Sequence, residues 1–116
     1  MTPTSPRRHH QGRRLAAAGL FALLAALPGC GRRPERHLVE IHGFRFNPPA
    51  LTVAVGDTVE WVNRDIVPHT STAAGNEWSS GEIPVRANWR WVASKTGEVR
   101  YGCTFHPTMK AALTVR

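Results

Sequence analysis

Cys103-Thr104-Phe105-His106-Pro107-Thr108-Met109, close to the C-terminus, brings a thiol, an imidazole and a thioether together at intervals of three residues. One tight loop can turn all three side chains toward a single point. A fourth donor stands upstream in Pro68-His69-Thr70, beyond a segment that carries Trp61. His69, Cys103 and His106 in a plane, with Met109 at longer range, form a donor set that suits copper in both oxidation states. Soft sulfur favours Cu(I), and imidazole suits Cu(II).

Taken singly, each of these residues has a plainer use: a buried cysteine as apolar filler, a histidine as an exposed or structural group, a methionine in the core. Their conjunction in one loop, with a Pro-His upstream, is what points to a metal. A nucleophilic Cys103 with His106 as its base is the main chemical rival. The spacing places such a base awkwardly, and no orienting acid or helix N-terminus accompanies it. Zinc is a second rival, but structural zinc sites use cysteine, histidine and carboxylate rather than methionine.

From His37 onward the hydrophobic pattern is that of strands. Leu38, Val39 and Ile41 lead into Phe44-Arg45-Phe46, whose two aromatics are expected to share one face. Leu51, Val53 and Val55 alternate with smaller residues, as do Val59, Trp61 and Asn63 after a Gly56-Asp57 turn. Trp89 and Trp91 alternate on a later strand, Gly97 precedes Val99 and Tyr101, and residues 112–115 form the last strand. Short strands broken by Gly, Pro and Asn predict an all-β chain, a small Greek-key β-sandwich or barrel.

With these residues in view, residues 37–116 resemble the small cupredoxins of the plastocyanin, pseudoazurin and amicyanin group. Cys-x2-His-x2-Met is the shortest form of that family's ligand loop and is most similar to amicyanin. Phe44-x-Phe46-x-Pro48, Val55-Gly56-Asp57-Thr58-Val59-x-Trp61-x-Asn63 and Tyr101-x-Cys103 match in order and spacing. The resemblance implies a cupredoxin-like sandwich with Trp61 inside it, and one mononuclear copper ion held by His69, Cys103, His106 and Met109. It also implies that the ring edge of His106 lies at the surface within an apolar patch. Many relatives have asparagine after the upstream histidine; here Thr70 stands there, expected to face Thr104 across the two loops.

The remainder of the chain concerns location. Residues 1–14 are polar and basic, with Arg7, Arg8, Arg13 and Arg14 and no acid, and residues 15–28 are apolar. Fourteen apolar residues are too few to cross a bilayer about 30 Å thick as a helix, so residues 1–29 read as a signal peptide. Leu27-Pro28-Gly29-Cys30 resembles a bacterial lipobox, which would give membrane contact through a lipid anchor at Cys30. The alternative is ordinary cleavage nearby, with Cys30 a spare thiol. Residues 30–36, polar and proline-containing, read as a tether before the domain at 37–116.

The chain carries 15 basic and 8 acidic residues. Four of the arginines lie in the leader, so the mature form keeps 11 basic against 8 acidic residues, a net +3. No basic stripe interleaved with aromatics remains, which argues against nucleic acid as a partner.

Two functions follow from different classes. The first is a single-electron carrier of the bacterial cell envelope, exported to the periplasm or cell surface. It would be a monomer exchanging electrons with a c-type cytochrome, a dehydrogenase or a reductase. The second is a copper-binding protein for delivery or resistance, although the Met- and His-rich segments common in such proteins are missing. A binuclear centre would need a second cysteine in the loop, and a multicopper oxidase would need further domains and His-x-His pairs. With Met109 filling the axial position no place is left for substrate, so an enzyme is not expected.

Overall fold

The alternation of apolar and small or polar residues places one row of side chains from each strand in a shared interior. The computed structural model describes residues 1–5, Gly12, Gly19 and 31–116. The leader arginines, the apolar stretch apart from Gly19, and Cys30 lie outside the described residues. Eight strands follow in order: β1 (Arg36–His42), β2 (Arg45–Asn47), β3 (Ala50–Val53), β4 (Thr58–Asn63), β5 (Thr72–Ala73), β6 (Asn88–Val92), β7 (Gly97–Gly102) and β8 (Lys110–Val115). They form two four-stranded sheets, ordered β2-β1-β4-β6 and β3-β8-β7-β5. This is the expected all-β sandwich.

β1 and β4 pair in parallel, as do β3 and β8, so the chain must leave the first sheet and return between β1 and β4. Pro48-Pro49 makes that exit. Neither proline can donate to a ladder, so β2 ends at Asn47 and β3 starts in the other sheet at Ala50. The interior is filled by Val39 and Ile41 of β1, Val59 and Trp61 of β4, Tyr101 of β7, and Leu113 and Val115 of β8.

Trp61 is fully buried, as the resemblance implied, and packs against the rings of Trp78, Trp89 and Tyr101, each at a centroid distance of 5.6 Å. Its Nε1 is the one buried side-chain donor among the described residues with no hydrogen-bond partner. Trp78, which reads in the sequence as a partly exposed loop residue, is instead buried at 4% exposure. Its Nε1–H donates to Ser71 Oγ at 3.0 Å, which satisfies the polar edge of a ring otherwise inside the core.

The pole of the sandwich where β1 begins is tied by Asp57. Its carboxylate accepts from the amides of Glu35 (2.9 Å) and Ala54 (3.0 Å), and pairs with Arg32 and with His37 Nε2 (2.8 Å). The Glu35 and Ala54 amides, with Arg32, hold this carboxyl far below the usual carboxylate range. Residues 31–36, read as a tether, are thus bound to this pole from Arg32 onward, and Arg36 already belongs to β1. The metal-ligating candidates lie at the other end of β1, beyond His42.

Candidate metal centre

Two loops build the site, and each is closed by its own hydrogen bonds. The first follows β4. Asn63, fully buried, donates from Nδ2 to the carbonyls of Val67 (2.9 Å) and Ile83 (3.0 Å), while its Oδ1 accepts from the Asp65 amide at 2.9 Å. One side chain therefore shapes the run from 63 to 67 and ties it to a distant segment. His69 continues this run and exchanges backbone bonds with Ile83 in both directions, at 3.2 and 2.7 Å.

The second loop joins β7 to β8. The Met109 amide donates to the His106 carbonyl at 2.9 Å, and the Cys103 amide to the Met109 carbonyl at 3.3 Å. Cys103 and His106 are held three residues apart in a turn, and Met109 is buried at 3% exposure.

The loops are cross-linked through Thr70. Its amide donates to Cys103 Sγ at 3.3 Å, and its Oγ1 accepts from the Thr104 amide at 2.9 Å. The two threonine hydroxyls stand 3.2 Å apart. The hydroxyl pair thus bridges the two loops, with Thr70 facing Thr104.

The donor atoms converge. Cys103 Sγ lies 3.7 Å from His69 Nδ1 and 3.6 Å from His106 Nδ1, and the two Nδ1 atoms are 3.1 Å apart. A point equidistant from all three is about 2 Å from each, close to the length of a first-row metal–nitrogen bond. His69 Nε2 meets Asp65 Oδ2 at 2.8 Å. An ionised carboxylate can only accept, so Nε2 carries the proton and the Nδ1 lone pair faces the other donors. With the thiol and His106 Nδ1 deprotonated, three lone pairs face one point, and a cation there would satisfy all of them. The donor set and its geometry fit a single soft-to-borderline metal ion.

Asp65 was not legible in the sequence as part of the site. Burial works to raise its pKa. The Phe44 amide (2.9 Å), the His69 ring and the Ile66 amide outweigh this and hold the carboxyl below its ordinary value. Phe44 also differs from expectation. It does not share the face of Phe46, because Gly43 and Phe44 form the turn between β1 and β2; Phe46 goes into the core and Phe44 lies over the donors. Its ring meets those of His69 and His106 edge-on, at centroid distances of 5.3 and 4.9 Å. His106 is half-buried, beside Phe105 at 51% exposure.

A second group of possible donors, Glu35, His37 and Asp57, gathers at the opposite pole. There the Arg32 guanidinium already neutralises Asp57 and competes with any cation, so this group reads as an ion-pair latch.

No family model matches the chain. Amicyanin of Paracoccus denitrificans is 30% identical over 83 residues, which span 67% of this chain and 63% of that protein. A solved structure of a proline-to-phenylalanine variant of amicyanin in its reduced state is 30% identical, with a TM-score of 0.63 over 68% of this chain and 80% of the other. The purple cupredoxin from Nitrosopumilus maritimus is 26% identical, with a TM-score of 0.64 over 68% of this chain and 98% of the other. The all-β fold agrees with these likenesses, and the chain belongs to the cupredoxin family as an amicyanin-like member.

Proposed function

We propose that the chain is a mononuclear type 1 copper protein that carries single electrons. The observation that carries this reading is the convergence of Cys103 Sγ and two imidazole Nδ1 atoms within 3.1–3.7 Å of one another. The cofactor is one copper ion, which His69, Cys103, His106 and the buried Met109 would hold. When bound, copper supplies a one-electron couple between Cu(II) and Cu(I).

The protein's own contribution is a rigid cradle. Asp65 fixes the His69 ring, the Thr70 amide donates to the cysteine sulfur, and the Thr70–Thr104 bridge keeps the two loops from separating. Such outer bonds hold ligand orientation whatever the charge at the centre, which keeps the reorganisation accompanying electron transfer small. This favours a carrier over a protein that must surrender its ion, since delivery requires ligands that let go.

Half-buried His106, beside exposed Phe105, is the point nearest solvent for electrons to enter and leave. The partners are redox proteins: a c-type cytochrome, a dehydrogenase or a reductase. Residues 1–29 direct export, and residues 37–116 are the copper-binding domain. Cys30 is the site of a lipid anchor, which would hold the protein at the periplasmic or cell-surface face of a bacterial membrane.

Adding Cu(II) to the metal-free protein tests the copper reading. An intense visible thiolate-to-Cu(II) charge-transfer band should grow to one equivalent and be lost in Cys103→Ser. A wild-type protein without that band, or a serine variant equally coloured, contradicts the assignment.

A further inference from the structure

β1 and β2 are joined by only two residues, Gly43 and Phe44, with φ of +60° and +57°. Positive φ at both central positions is the signature of the tight hairpin turn that suits the twist of antiparallel strands. Gly43 meets that requirement freely. A bulky side chain at the second position does not: in the left-handed region its Cβ crowds the backbone, and such residues are uncommon outside Gly, Asn and Asp. Phe44 is also 45% exposed, so burial does not account for it. A backbone outlier bearing a half-exposed aromatic, where glycine or asparagine would fold more easily, asks for a local use.

Its contacts supply one. The ring stands nearly perpendicular to both imidazoles, at 88° to His69 and 90° to His106, the edge-to-face arrangement that aromatic pairs favour. The backbone amide of the same residue donates to Asp65 Oδ2, the oxygen that meets His69 Nε2. Turn, carboxylate and ligand therefore form one connected unit. The left-handed conformation directs the ring over the imidazoles while the amide reaches the carboxylate.

We propose that Phe44 is a positioning residue for the metal centre, bracing both His69 and His106 in their ligating orientations before metal arrives. The inference rests on the copper reading for its purpose, though not for its geometry. His106 has the greater need of a brace. His69 is fully buried with Asp65 behind it, whereas His106 is half-buried in a loop, and among its described ring contacts Phe44 is the aromatic partner other than His69. Without the ring, metal binding would have to order an otherwise freer side chain, a cost typical of immobilising one rotamer-rich group.

The test compares Phe44→Leu, Phe44→Gly and Phe44→Tyr with the wild-type chain by three measurements. Proton NMR of the metal-free protein reads the ring-current displacement of the His69 and His106 imidazole protons. Competition with a chromophoric chelator reads Cu(I) affinity, and thermal melting of the metal-free form reads the fold. The leucine and glycine variants should lose the displacement on both imidazoles and bind Cu(I) about three- to tenfold more weakly, the scale of one lost aromatic contact. Tyrosine should retain both properties. Glycine should melt no lower than leucine, because it relieves the left-handed strain while removing the same ring. A residue that served the fold alone would lower melting and affinity in step, and would leave glycine the weaker in both.

Wild-type imidazole shifts and wild-type Cu(I) affinity in Phe44→Leu would overturn the proposal, as would a tyrosine variant no better than leucine. A wild-type chain that takes up no Cu(I) would instead overturn the copper reading. The metal-free shifts would still decide whether Phe44 braces the two rings.

Discussion

Gly102 closes β7 immediately before Cys103, and a methyl group there should disturb the ligand loop more than its size suggests. A Cβ built on Gly102 would lie 2.6 Å from the Met109 carbonyl oxygen. Ordinary contact begins at 3.4 Å, so β7 and the start of β8 would have to separate by roughly 0.8 Å, or the loop would have to twist by as much. The obstacle is backbone, which cannot swing aside as a long side chain can. That same carbonyl accepts the bond from the Cys103 amide, already long at 3.3 Å, and opening the strands would break it. Overpacking of this kind costs about 1–3 kcal/mol. For a domain of this size each kcal/mol moves the melting temperature by about 4–8 °C, so Gly102→Ala should melt lower by about 4 °C at the least and about 24 °C at the most. The displacement falls between Cys103 and Met109, so the visible spectrum and electron spin resonance of the copper-loaded variant should change as well. Thermal melting followed by copper titration reads both effects. A variant that melts and absorbs like the wild type would show that the loop yields freely, and the rigid-cradle argument would fail with it.

Three further outcomes follow from other parts of the molecule. The carboxyl of Asp57 is held low in the folded state, so its stabilisation is present above an unfolded value of about 4 and is lost as pH falls through the folded value. Acid unfolding of the wild type should steepen below about pH 4, and Asp57→Asn should be less stable near neutrality yet lack one proton's worth of that dependence. Met109→Leu should raise the reduction potential and Met109→Gln should lower it, each on the order of 60 mV, a tenfold bias between the two oxidation states; voltammetry showing no change in either would remove Met109 from the axial position. Cys30→Ser should release from membranes a protein that otherwise pellets with them, because several acyl chains anchor firmly where one does not. A wild-type chain already soluble after export would end the lipid-anchor reading and leave the copper site untouched.

The sequence carried the site further than it carried the structure around it. Cys103, His106 and Met109 stand out in the sequence because three unlike donors share one loop, and Trp61 because it lies on the strongly alternating β4. Asp65 is hidden in the sequence because a carboxylate four residues before a histidine suggests contact only on a helix, and here a loop shaped by Asn63 makes the contact. Trp78 reads as a loop residue, but packing against Trp61, Trp91 and Tyr101 and the bond to Ser71 hold it inside, tertiary contacts that no periodicity encodes. The period-two rule puts Phe44 on the face of Phe46. The rule fails there because Gly43-Phe44 is the turn, and two residues at positive φ reset the alternation. The Thr70–Thr104 bridge, by contrast, agrees with the resemblance, which sets Thr70 opposite Thr104 across the two loops.

The central claim, that this chain carries one electron on one copper, is tested most directly by a redox titration of the copper-loaded protein at fixed pH. The thiolate charge-transfer band should bleach and recover reversibly, with one electron per chain and about 59 mV per tenfold change in the ratio of oxidised to reduced protein. A coloured protein that loses its copper on reduction, or one whose band fails to return, would contradict the carrier and favour a protein that hands its copper on.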